Sequence, residues 1–320
     1  MTHDDTHIPV LYDEVLELLQ PRPGGRYLDG TVGAGGHARG ILQASAPDGK
    51  LLGLDRDAEA IAFARQRLAE YGERVTLVKA SYADMAAIAE RCGFDDFDGI
   101  LLDLGLSSRQ LADGRRGFSF LREGPLDMRF DASQGPTAAD LINNLSEAEL
   151  ADIFWRYGEE RRSRKWAKVI VANRPLTTTT QLADLIAAQV KRRERNHPAT
   201  QLFQALRIAV NHELEAVEQG VQAAVGLLRL NGRRLNGRGA NGRLAVISFH
   251  SLEDRLVKQT FRELSRDCIC PPEQPVCTCD RQPVLRLITR KAVQAGAEEI
   301  AANPRSRSAR LRVAEKISDQ

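Results

Sequence analysis

The segment Tyr27-Leu28-Asp29-Gly30-Thr31-Val32-Gly33-Ala34-Gly35-Gly36-His37 carries the clearest structural signal in the chain. Its apolar start indicates a buried strand. The glycines that follow let the backbone approach a ligand closely and leave helix N–H groups available to it. A second strand, Leu51 to Asp55, ends about 20 residues later in a carboxylate, which suits hydrogen bonds from a ribose diol. We therefore expect a nucleotide-like ligand at this turn. Because Gly33-x-Gly35-x-x-Ala38 also fits a dinucleotide-binding fingerprint, the segment predicts a class of ligand and not a reaction.

From Arg26 to Gly105, short apolar strands alternate with amphipathic helices, which is typical of a parallel sheet covered by helices on both faces. The ligand then lies at the carboxyl ends of the strands, where the glycine turn, Asp55, Tyr82 and Asp103 fall. Up to seven strands are predicted: Tyr27 to Asp29, Leu51 to Asp55, Val75 to Lys79, Gly99 to Leu104, Arg243 to Phe249, Val284 to Thr289 and Ala309 to Ala314.

The alternation stops after Gln110, and no strand of comparable quality is predicted before about residue 195. Helices are predicted there instead, two of them with Ser146 and Thr180 as N-caps, and then one long helix from Thr200 to Leu228. We therefore expect a helical insertion at residues 113–213 that divides the sheet domain into residues 1–112 and 214–320.

Composition limits the classes of protein without choosing one. The 320 residues are 42% hydrophobic and 28% charged, which is enough for a core in one large or two ordinary domains. The net charge of +2 neither requires nor excludes a nucleic-acid partner, but basic residues cluster in 156–174, 191–195, 229–243 and 305–316. Since the N-terminus carries Asp4 and Asp5 and no apolar run reaches about 18 residues, we expect a soluble, cytoplasmic protein without a membrane partner.

Four of the five cysteines form the pairs Cys268-x-Cys270 and Cys277-x-Cys279. In a reducing compartment, clustered thiols suggest a metal before they suggest disulfides. Each pair, however, is tighter than the usual spacing of zinc ligands. We favour a metal-free loop stiffened by prolines, and so expect no metal site, with a zinc knuckle as the alternative.

A series of short motifs continues from the predicted ligand edge to the end of the chain. The motifs are Asp103-Leu104-Gly105-Leu106-Ser107-Ser108, Gly117-Phe118-Ser119-Phe120, Pro125-Leu126-Asp127-Met128-Arg129-Phe130, Tyr157-Gly158-Glu159-Glu160-Arg161, His197-Pro198-Ala199-Thr200, Phe203-Gln204-Ala205-Leu206-Arg207, Ser248-Phe249-His250-Ser251 and Asn303-Pro304-Arg305-Ser306. With His7-Ile8-Pro9-Val10-Leu11, and in this order, they resemble the bacterial small-subunit ribosomal RNA cytosine-N4 methyltransferase family, the MraW family, from about His7 to Lys316.

This resemblance implies a class I S-adenosylmethionine-dependent methyltransferase fold of the α/β type. The fold has a Rossmann-like, seven-stranded, mostly parallel sheet and an inserted all-helical domain that recognises the substrate. It also implies an enzyme that uses S-adenosylmethionine to methylate the N4 exocyclic amine of a cytidine in the decoding region of 16S ribosomal RNA. The implied partner is 16S rRNA or the small ribosomal subunit, and the sequence leaves a homodimer open.

The resemblance also implies the residues of the site. Cofactor contacts fall on Gly35, Gly36, His37, Asp55, Tyr82, Asp103 and Gln110, with Asp55 at the ribose hydroxyls and Tyr82 beside the adenine. The family often has phenylalanine at position 82, and a tyrosine ring can stack equally well if its hydroxyl finds a partner. Two further departures are Gln201-Leu202, where an arginine-threonine pair is more usual, and the Asn-Gly-Arg units between Asn231 and Arg243.

For catalysis, the hypothesis is that Asp103 or Ser107 accepts a hydrogen bond from the target amine and that Asp127 or Arg129 shapes the pocket. Many amino-methyltransferases have two prolines and an aromatic residue after the acid or amide, and this chain has neither at 104–108. The ring that stacks on the base is therefore expected elsewhere, with Phe118, Phe120 and Phe130 as candidates.

Other interpretations of these residues remain open. The Ser107-Ser108 pair could serve only as a helix cap. His250, at a strand-to-helix turn, is more often a structural group than a base. The basic residues around Arg161 and Arg162 could be a solvated helix face or an RNA-binding surface. A nicotinamide dehydrogenase and a non-catalytic ribosome-assembly factor are the competing functions. A dehydrogenase would need a hydride-transfer site, and no convincing one follows Gly105. An assembly factor that had lost cofactor binding would not need to keep Gly35, Asp55 and Asp103.

Overall fold

The structure is a computed structural model that describes residues 9–190, 197–230, 241–271, 274 and 276–319. Five features of the sequence analysis lie outside these residues: Asp4 with Asp5, His7-Ile8 of the first motif, the basic cluster at 191–195, the Asn-Gly-Arg units at 231–238, and Pro272 with Pro275.

Seven strands form one sheet in the order β3-β2-β1-β4-β5-β7-β6. All neighbouring pairs are parallel except those of β7, which runs antiparallel to β5 and β6. The prediction of a seven-stranded, mostly parallel sheet is confirmed. The strands are β1 Arg26–Asp29, β2 Lys50–Asp55, β3 Val75–Lys79, β4 Gly99–Asp103, β5 Arg243–Ser248, β6 Leu285–Leu287 and β7 Arg310–Lys316.

Helices alternate with β1 to β4 as the sequence predicts, whereas α1 and α13 were not predicted. They are α1 Tyr12–Leu19, α2 Gly36–Ala44, α3 Ala58–Arg67, α4 Met85–Arg91, α5 Ser108–Ala112, α6 Ala138–Asn144, α7 Glu147–Arg156, α8 Ser163–Ala172, α9 Thr179–Ala188, α10 Thr200–Asn211, α11 Glu213–Leu227, α12 Ser251–Leu264 and α13 Ala297–Ala302. None of the helices in the described part of the chain combines the length and the apolar character that crossing a lipid bilayer requires.

The strands are apolar almost throughout because both faces of the sheet are covered. In β4, Ile100 and Leu102 belong to the cluster on one face, whereas Leu101 belongs to the cluster on the other. This alternation is the two-residue period of a strand. All three side chains are fully buried, and burial of each contributes about 1.5–3 kcal/mol to folding.

The chain divides into two compact units, residues 1–105 with 216–320 and Leu106–Glu215. The sequence analysis set the borders of the insertion at 113 and 213, so the structural borders lie at slightly different residues. The second unit has its own apolar core around Phe154, Trp166 and Leu206. Its described residues contain helices and no strand, apart from one isolated bridge between Pro125 and Thr178.

Two helix predictions in the second half of the chain are wrong. The single helix expected from Thr200 to Leu228 is two helices, because His212 adopts a left-handed φ of 51° that ends α10. Apolar residues keep helical spacing across the break, so periodicity alone could not reveal it. The cap of α9 is Thr178, which forms a capping box with Gln181, and not Thr180. The Ser146 cap of α7 is confirmed, with Glu149 as its partner.

Candidate functional site

Three aspartates end three neighbouring strands of the sheet. Asp29 ends β1, Asp55 ends β2 on one side of it, and Asp103 ends β4 on the other. In the register Asp29 pairs with Gly53 and Leu101, so Asp55 and Asp103 each extend two residues further along their strands. Because parallel strands present their carboxyl ends at one edge, this arrangement places an acidic rim where ligands bind in α/β sheets.

The glycine turn is fastened to this rim by backbone and side-chain hydrogen bonds. Gly33 N donates to Asp55 Oδ2 at 2.9 Å, and Asp57 N donates to Asp55 Oδ1 at 2.8 Å. The Asp55 carboxylate is therefore held in one orientation. Since each carboxylate oxygen can accept more than one hydrogen bond, Asp55 can still accept from a ligand hydroxyl.

Different structural constraints require glycine at different positions of the turn. Gly35 is the residue before α2 and has a φ of +78°, a conformation that side chains rarely adopt. A Cβ on Gly36 would lie 2.4 Å from Pro9 Cγ, and a Cβ on Gly30 would lie 2.5 Å from Leu102 Cδ2. The close approach of other residues thus demands glycine at 30 and 36. Packing explains Gly36 without reference to a ligand.

His37 lies in the first turn of α2 and is buried, with 6% exposure. It therefore is not the water-exposed residue that a first-turn position can be. Its ring stacks on Tyr12 with centroids 6.1 Å apart, and Nε2 lies 3.8 Å from Asp103 Oδ2. Burial lowers the pKa of His37 to about 4, so the imidazole is neutral near pH 7.

Asp103 carries the largest electrostatic perturbation of the rim. Burial, followed by the carboxylates of Asp29 and Glu253, raises the pKa of Asp103 to about 8. Its side chain is 26% exposed, yet Oδ1 is buried and has no hydrogen-bond partner in the described part of the chain. Near pH 7 this group is therefore largely a neutral carboxylic acid with an unused oxygen.

Asp29 and Thr31 belong to the site and were not singled out from the sequence. Thr31 Oγ1 accepts from Asp103 N at 2.7 Å, and Thr31 N donates to Asp29 Oδ1 at 3.1 Å. Burial, with the Asp55 charge as a lesser cause, raises the pKa of Asp29 to about 7. Asp29 ends its strand as Asp55 and Asp103 end theirs, so the rule that selected those two residues could also have found it.

Tyr82 opens the turn after β3, where Ser81 caps a short 3-10 helix by accepting from Ala83 N at 3.2 Å. Its ring lies against Gly220 of α11, where a Cβ would meet Tyr82 Cδ2 at 2.4 Å. The same turn brings Tyr82 Cβ to within 2.9 Å of a Cβ built on Gly30. Tyr82 is thus adjacent to the start of the glycine turn.

A fourth acid approaches the rim from α12, the helix that follows β5. Glu253 is buried in the first turn of α12, and its Oε2 accepts from Phe249 N at 2.9 Å. His250 Nε2 lies 3.1 Å from Glu253 Oε1, and the His250 side chain is 10% exposed. This geometry accords with the structural role that the sequence analysis favours for His250.

Comparison with known proteins identifies the family to which this chain belongs. The model of the MraW methylase family matches residues 4–317. The chain is 53% identical over 320 residues to the ribosomal RNA small subunit methyltransferase H of Geobacter sp. strain M21, covering 98% of this chain and 99% of that protein. It is 55% identical over 317 residues to the protein of the same name from Thermomicrobium roseum, covering 98% and 94%.

The chain belongs to the MraW methylase family. The fold resemblance inferred from the motifs is therefore confirmed, and the sheet described above is a class I S-adenosylmethionine-dependent methyltransferase fold. A more distant likeness is to TrmN from Thermus thermophilus, with 14% identity, a TM-score of 0.42, and coverage of 96% of this chain and 48% of that one.

Ser107 and Gln110 lie in the second unit and bond to each other. Ser107 Oγ accepts from Gln110 N at 3.2 Å, and Gln110 Oε1 accepts from Ser107 N at 3.0 Å. Together they form the capping box of α5. The alternative that Ser107 caps a helix is thus observed, and any contact of either residue with a ligand would be additional to that role.

The three phenylalanines considered for base stacking also lie in the second unit. Phe118 is buried and stacks on Phe130, with centroids 5.5 Å apart. The Phe120 ring packs edge-to-face against Phe203, with ring centroids 4.8 Å apart, and its centroid lies 4.6 Å from that of the His197 ring. Phe120 and Phe130 are partly buried, which leaves part of each ring accessible.

Asp127 and Arg129 of the MraW methylase form a bidentate ion pair, with Nη2 to Oδ2 and Nε to Oδ1 both at 2.8 Å. Burial opposes ionisation of Asp127, but the hydrogen bonds from Arg129 outweigh it and hold the pKa of Asp127 below its usual range. Each residue therefore has its partner within the loop between β4 and α6, which rigidifies that loop.

The helix α8 buries Trp166, Ala167 and Ile170 and exposes basic side chains on another face. Arg162 differs from the others, because its Nε lies 3.3 Å from the buried Glu160 and its guanidinium covers Trp166 at 5.2 Å. The exposed basic residues are Arg161, Arg164, Lys165 and Lys168. Arg162 thus has a structural role, and the exposed four form a surface that we call the α8 basic face.

Proposed function

We propose that this MraW methylase transfers a methyl group from S-adenosylmethionine to the N4 amine of a cytidine in the decoding region of 16S ribosomal RNA. Relatives at 53% and 55% identity bear the name ribosomal RNA small subunit methyltransferase H. The order of the motifs from His7 to Lys316 supports the same activity. The acidic rim is the observation that carries the choice of cofactor.

The rim fits a cationic ligand and disfavours an anionic one. Asp29 and Asp103 have raised pKa values because burial and neighbouring carboxylates penalise their negative charge. A positive charge beside them would relieve that penalty, and S-adenosylmethionine carries both a sulfonium and an ammonium group. A nicotinamide dinucleotide would instead bring the two negative charges of its pyrophosphate to the same edge. The unpaired Oδ1 of Asp103 is a further acceptor that suits the ammonium or the substrate amine.

Each of the predicted cofactor-binding residues then has a role toward the cofactor. Asp55, fixed by Gly33 N and Asp57 N, would accept from the ribose hydroxyls. Gly35, Gly36 and the neutral His37 would line the turn, and Tyr82 would lie beside the adenine. Gln110, which also caps α5, would be a further cofactor contact, as the family resemblance implies. When bound, S-adenosylmethionine supplies the electrophilic methyl group.

The target amine is a poor nucleophile because its lone pair is delocalised into the cytosine ring. A protein group that accepts a hydrogen bond from the amine favours the pyramidal nitrogen, and fixed orientation supplies much of the rate. Asp103 is the stronger of the two candidates, because its Oδ1 is unpaired whereas Ser107 Oγ already accepts from Gln110 N. Deprotonated Asp103 would accept best, and a nearby cation lowers its pKa.

The second unit is the proposed RNA-binding unit. The α8 basic face offers positive side chains to phosphates, and Lys165 Nζ also covers the Trp166 ring at 4.8 Å. The target base must be single-stranded or unstacked before it can enter a pocket. The proposed substrate is therefore 16S rRNA or an assembled small subunit.

Mass mapping of 16S rRNA from cells that lack this gene tests the whole proposal. We expect one cytidine methylation to be missing and to return with the wild-type gene. It should stay absent with Asp103→Ala, whereas a control such as Asp95→Ala, at a side chain that is 93% exposed, should restore it. Restoration by Asp103→Ala would refute the catalytic role. An unchanged methylation pattern in the deletion strain would favour the non-catalytic assembly factor.

Thermal shift measurements separate the cofactor classes. S-adenosylhomocysteine at 100 times its Kd should stabilise the protein by about 2.7 kcal/mol, whereas NAD should leave the midpoint unchanged. Stabilisation by NAD alone would overturn the assignment of the rim.

A further inference from the structure

In the segment between α12 and β6, large apolar side chains are exposed, whereas most of the cysteine thiols are partly buried. It spans residues 265–284, and its described residues contain neither helix nor strand. Two of its large apolar side chains point outward, with Ile269 54% and Val276 68% exposed. The thiols of Cys268, Cys270 and Cys279 are less exposed than those flanking residues. Hydrophobic burial therefore does not explain how this loop is held.

The four thiols converge instead. The Sγ atoms of Cys277 and Cys279 are 3.5 Å apart, those of Cys270 and Cys277 are 4.0 Å apart, and those of Cys268 and Cys279 are 4.0 Å apart. All four Sγ atoms lie within 4.8 Å of one another. A disulfide needs about 2.05 Å, so none of these pairs is bonded.

These distances match one tetrahedral ion. Four sulfurs at about 2.3 Å from a zinc ion are about 3.8 Å from each other, because the edge of a tetrahedron is about 1.63 times its centre-to-vertex length. The observed spacings lie around this value, and binding requires movements of about 1 Å or less. A C-x-C pair can reach such a geometry when a second pair faces it, which linear spacing alone does not reveal.

Backbone donors complete the surroundings of the sulfurs. Ile269 N donates to Cys279 Sγ at 3.5 Å, and Cys270 N donates to Cys268 Sγ at 3.4 Å. Hydrogen bonds of this kind stabilise thiolates and orient metal ligands. The first links the two C-x-C pairs, so the two pairs already lie beside each other before an ion binds.

We propose that Cys268, Cys270, Cys277 and Cys279 together bind one zinc ion in a closed, structural site. The reaction exchanges four thiol protons for four sulfur-zinc bonds, with no change of oxidation state. Zinc is favoured because four thiolates in a tetrahedron suit a soft, borderline metal and no coordination position remains for water. This inference reverses the preference for a metal-free loop, since that preference rested on spacing and not on the positions of the sulfurs.

The ion would fasten a long loop to the catalytic unit. The loop ends are joined where Val284 N donates to Leu264 O at 2.8 Å, and Arg281 Nη2 donates to Glu263 O at 2.8 Å. Between these points the described residues have few other attachments to α12. A zinc ion would replace the missing apolar core of the segment.

Metal analysis of the full-length protein tests the site independently of methyl transfer. Protein produced with zinc in the medium and purified under reducing conditions without chelator should contain about one zinc per chain. Cys277→Ser should lower the affinity for zinc by a factor of about 10 to 100 or more, measured by competition with a chromogenic chelator. Cys92→Ser, at the end of α4 and outside the cluster, is the matched control and should retain the metal.

A cobalt titration avoids dependence on variants that fail to fold. Wild-type protein stripped of metal should bind one Co²⁺ and show thiolate-to-cobalt charge-transfer absorption with the intense visible bands of tetrahedral coordination, and zinc should abolish both. Absence of bound metal together with absence of this spectrum would overturn the proposal. So would iron as the resident metal, disulfides among the four cysteines in freshly reduced protein, or equal zinc affinity in Cys277→Ser.

Discussion

Replacing Asp103 by asparagine should stabilise the ligand-free protein, and increasingly so as the pH rises. The folded-state pKa of Asp103 is raised to about 8, whereas an unfolded chain has the ordinary value of 3.8. A group with a raised pKa contributes stability that is fully present below the unfolded pKa and is lost as the pH rises through the folded pKa. The wild type should therefore lose stability between about pH 4 and pH 8, and the asparagine variant should lose less.

The magnitude follows from the shift. One pKa unit corresponds to 1.36 kcal/mol, so a shift from 3.8 to about 8 sets an upper limit of roughly 6 kcal/mol. The Asp103 side chain is 26% exposed, and water that reaches it reduces the penalty. Asp29, with a pKa raised to about 7, shares part of the same repulsion. We expect the difference between variant and wild type to grow by about 2–3 kcal/mol from pH 5 to pH 8.5.

Urea denaturation at pH 5, 6, 7, 8 and 8.5 measures this difference. The difference in midpoint between the variant and the wild type should widen from pH 5 to pH 8.5, with unchanged m-values. Asp95→Asn, at a side chain that is 93% exposed, is the matched control for the loss of a surface carboxylate. Parallel pH profiles for Asp103→Asn and wild type would refute the reasoning, because they would mean that Asp103 ionises as easily in the folded protein as in the unfolded chain.

Four further outcomes are expected. Calorimetry at pH 7 in phosphate and in Tris should show release of protons when S-adenosylmethionine binds, and less release with S-adenosylhomocysteine, which lacks the sulfonium charge, because the cation lowers the pKa of Asp103; equal observed heats in the two buffers would contradict this. Arg161→Glu should weaken RNA binding and reduce the slope of log K against log salt by about 0.7 per lost phosphate contact in filter binding, while the exposed Lys258→Glu should not. Thr31→Val should destabilise the protein by about 1–3 kcal/mol in urea titrations, because Asp103 N loses its acceptor, and Thr31→Ser should restore stability. His212→Gly should raise the free energy of unfolding by about 0.5–1 kcal/mol, since glycine adopts the left-handed φ of 51° without strain; a lower stability would count against this.

The sheet could be predicted from the sequence because its determinants are local. Each strand is a short apolar run, and both faces are buried, so the pattern stands out without knowledge of pairing. The segment Gly99 to Leu104 was predicted within one residue of β4 for this reason. The ligand edge followed from the rule that strand ends meet, which selected Asp55 and Asp103 from different parts of the chain.

What the sequence did not reveal depends on contacts between distant residues. The break between α10 and α11 comes from a left-handed conformation at His212, which is compatible with helical periodicity on both sides. The role of Glu253 arises because α12 brings it near Asp103, 150 residues earlier, and no spacing rule connects the two. The burial of His37 likewise depends on its packing against Tyr12 of α1, a helix that was not predicted.

The rim connects stability with the proposed chemistry. A fold selected for stability alone would not gather Asp29, Asp103 and Glu253 where burial and mutual repulsion raise their pKa values. The same carboxylates would attract a cation at this edge. The free energy by which their repulsion destabilises the ligand-free protein would then add to the affinity for a positively charged cofactor. After methyl transfer the sulfur is neutral, and the attraction falls. In the proposed site, the acidic rim would therefore favour the donor, which carries the sulfonium charge, over the product, which lacks it. The difference in proton release between the two ligands measures this preference.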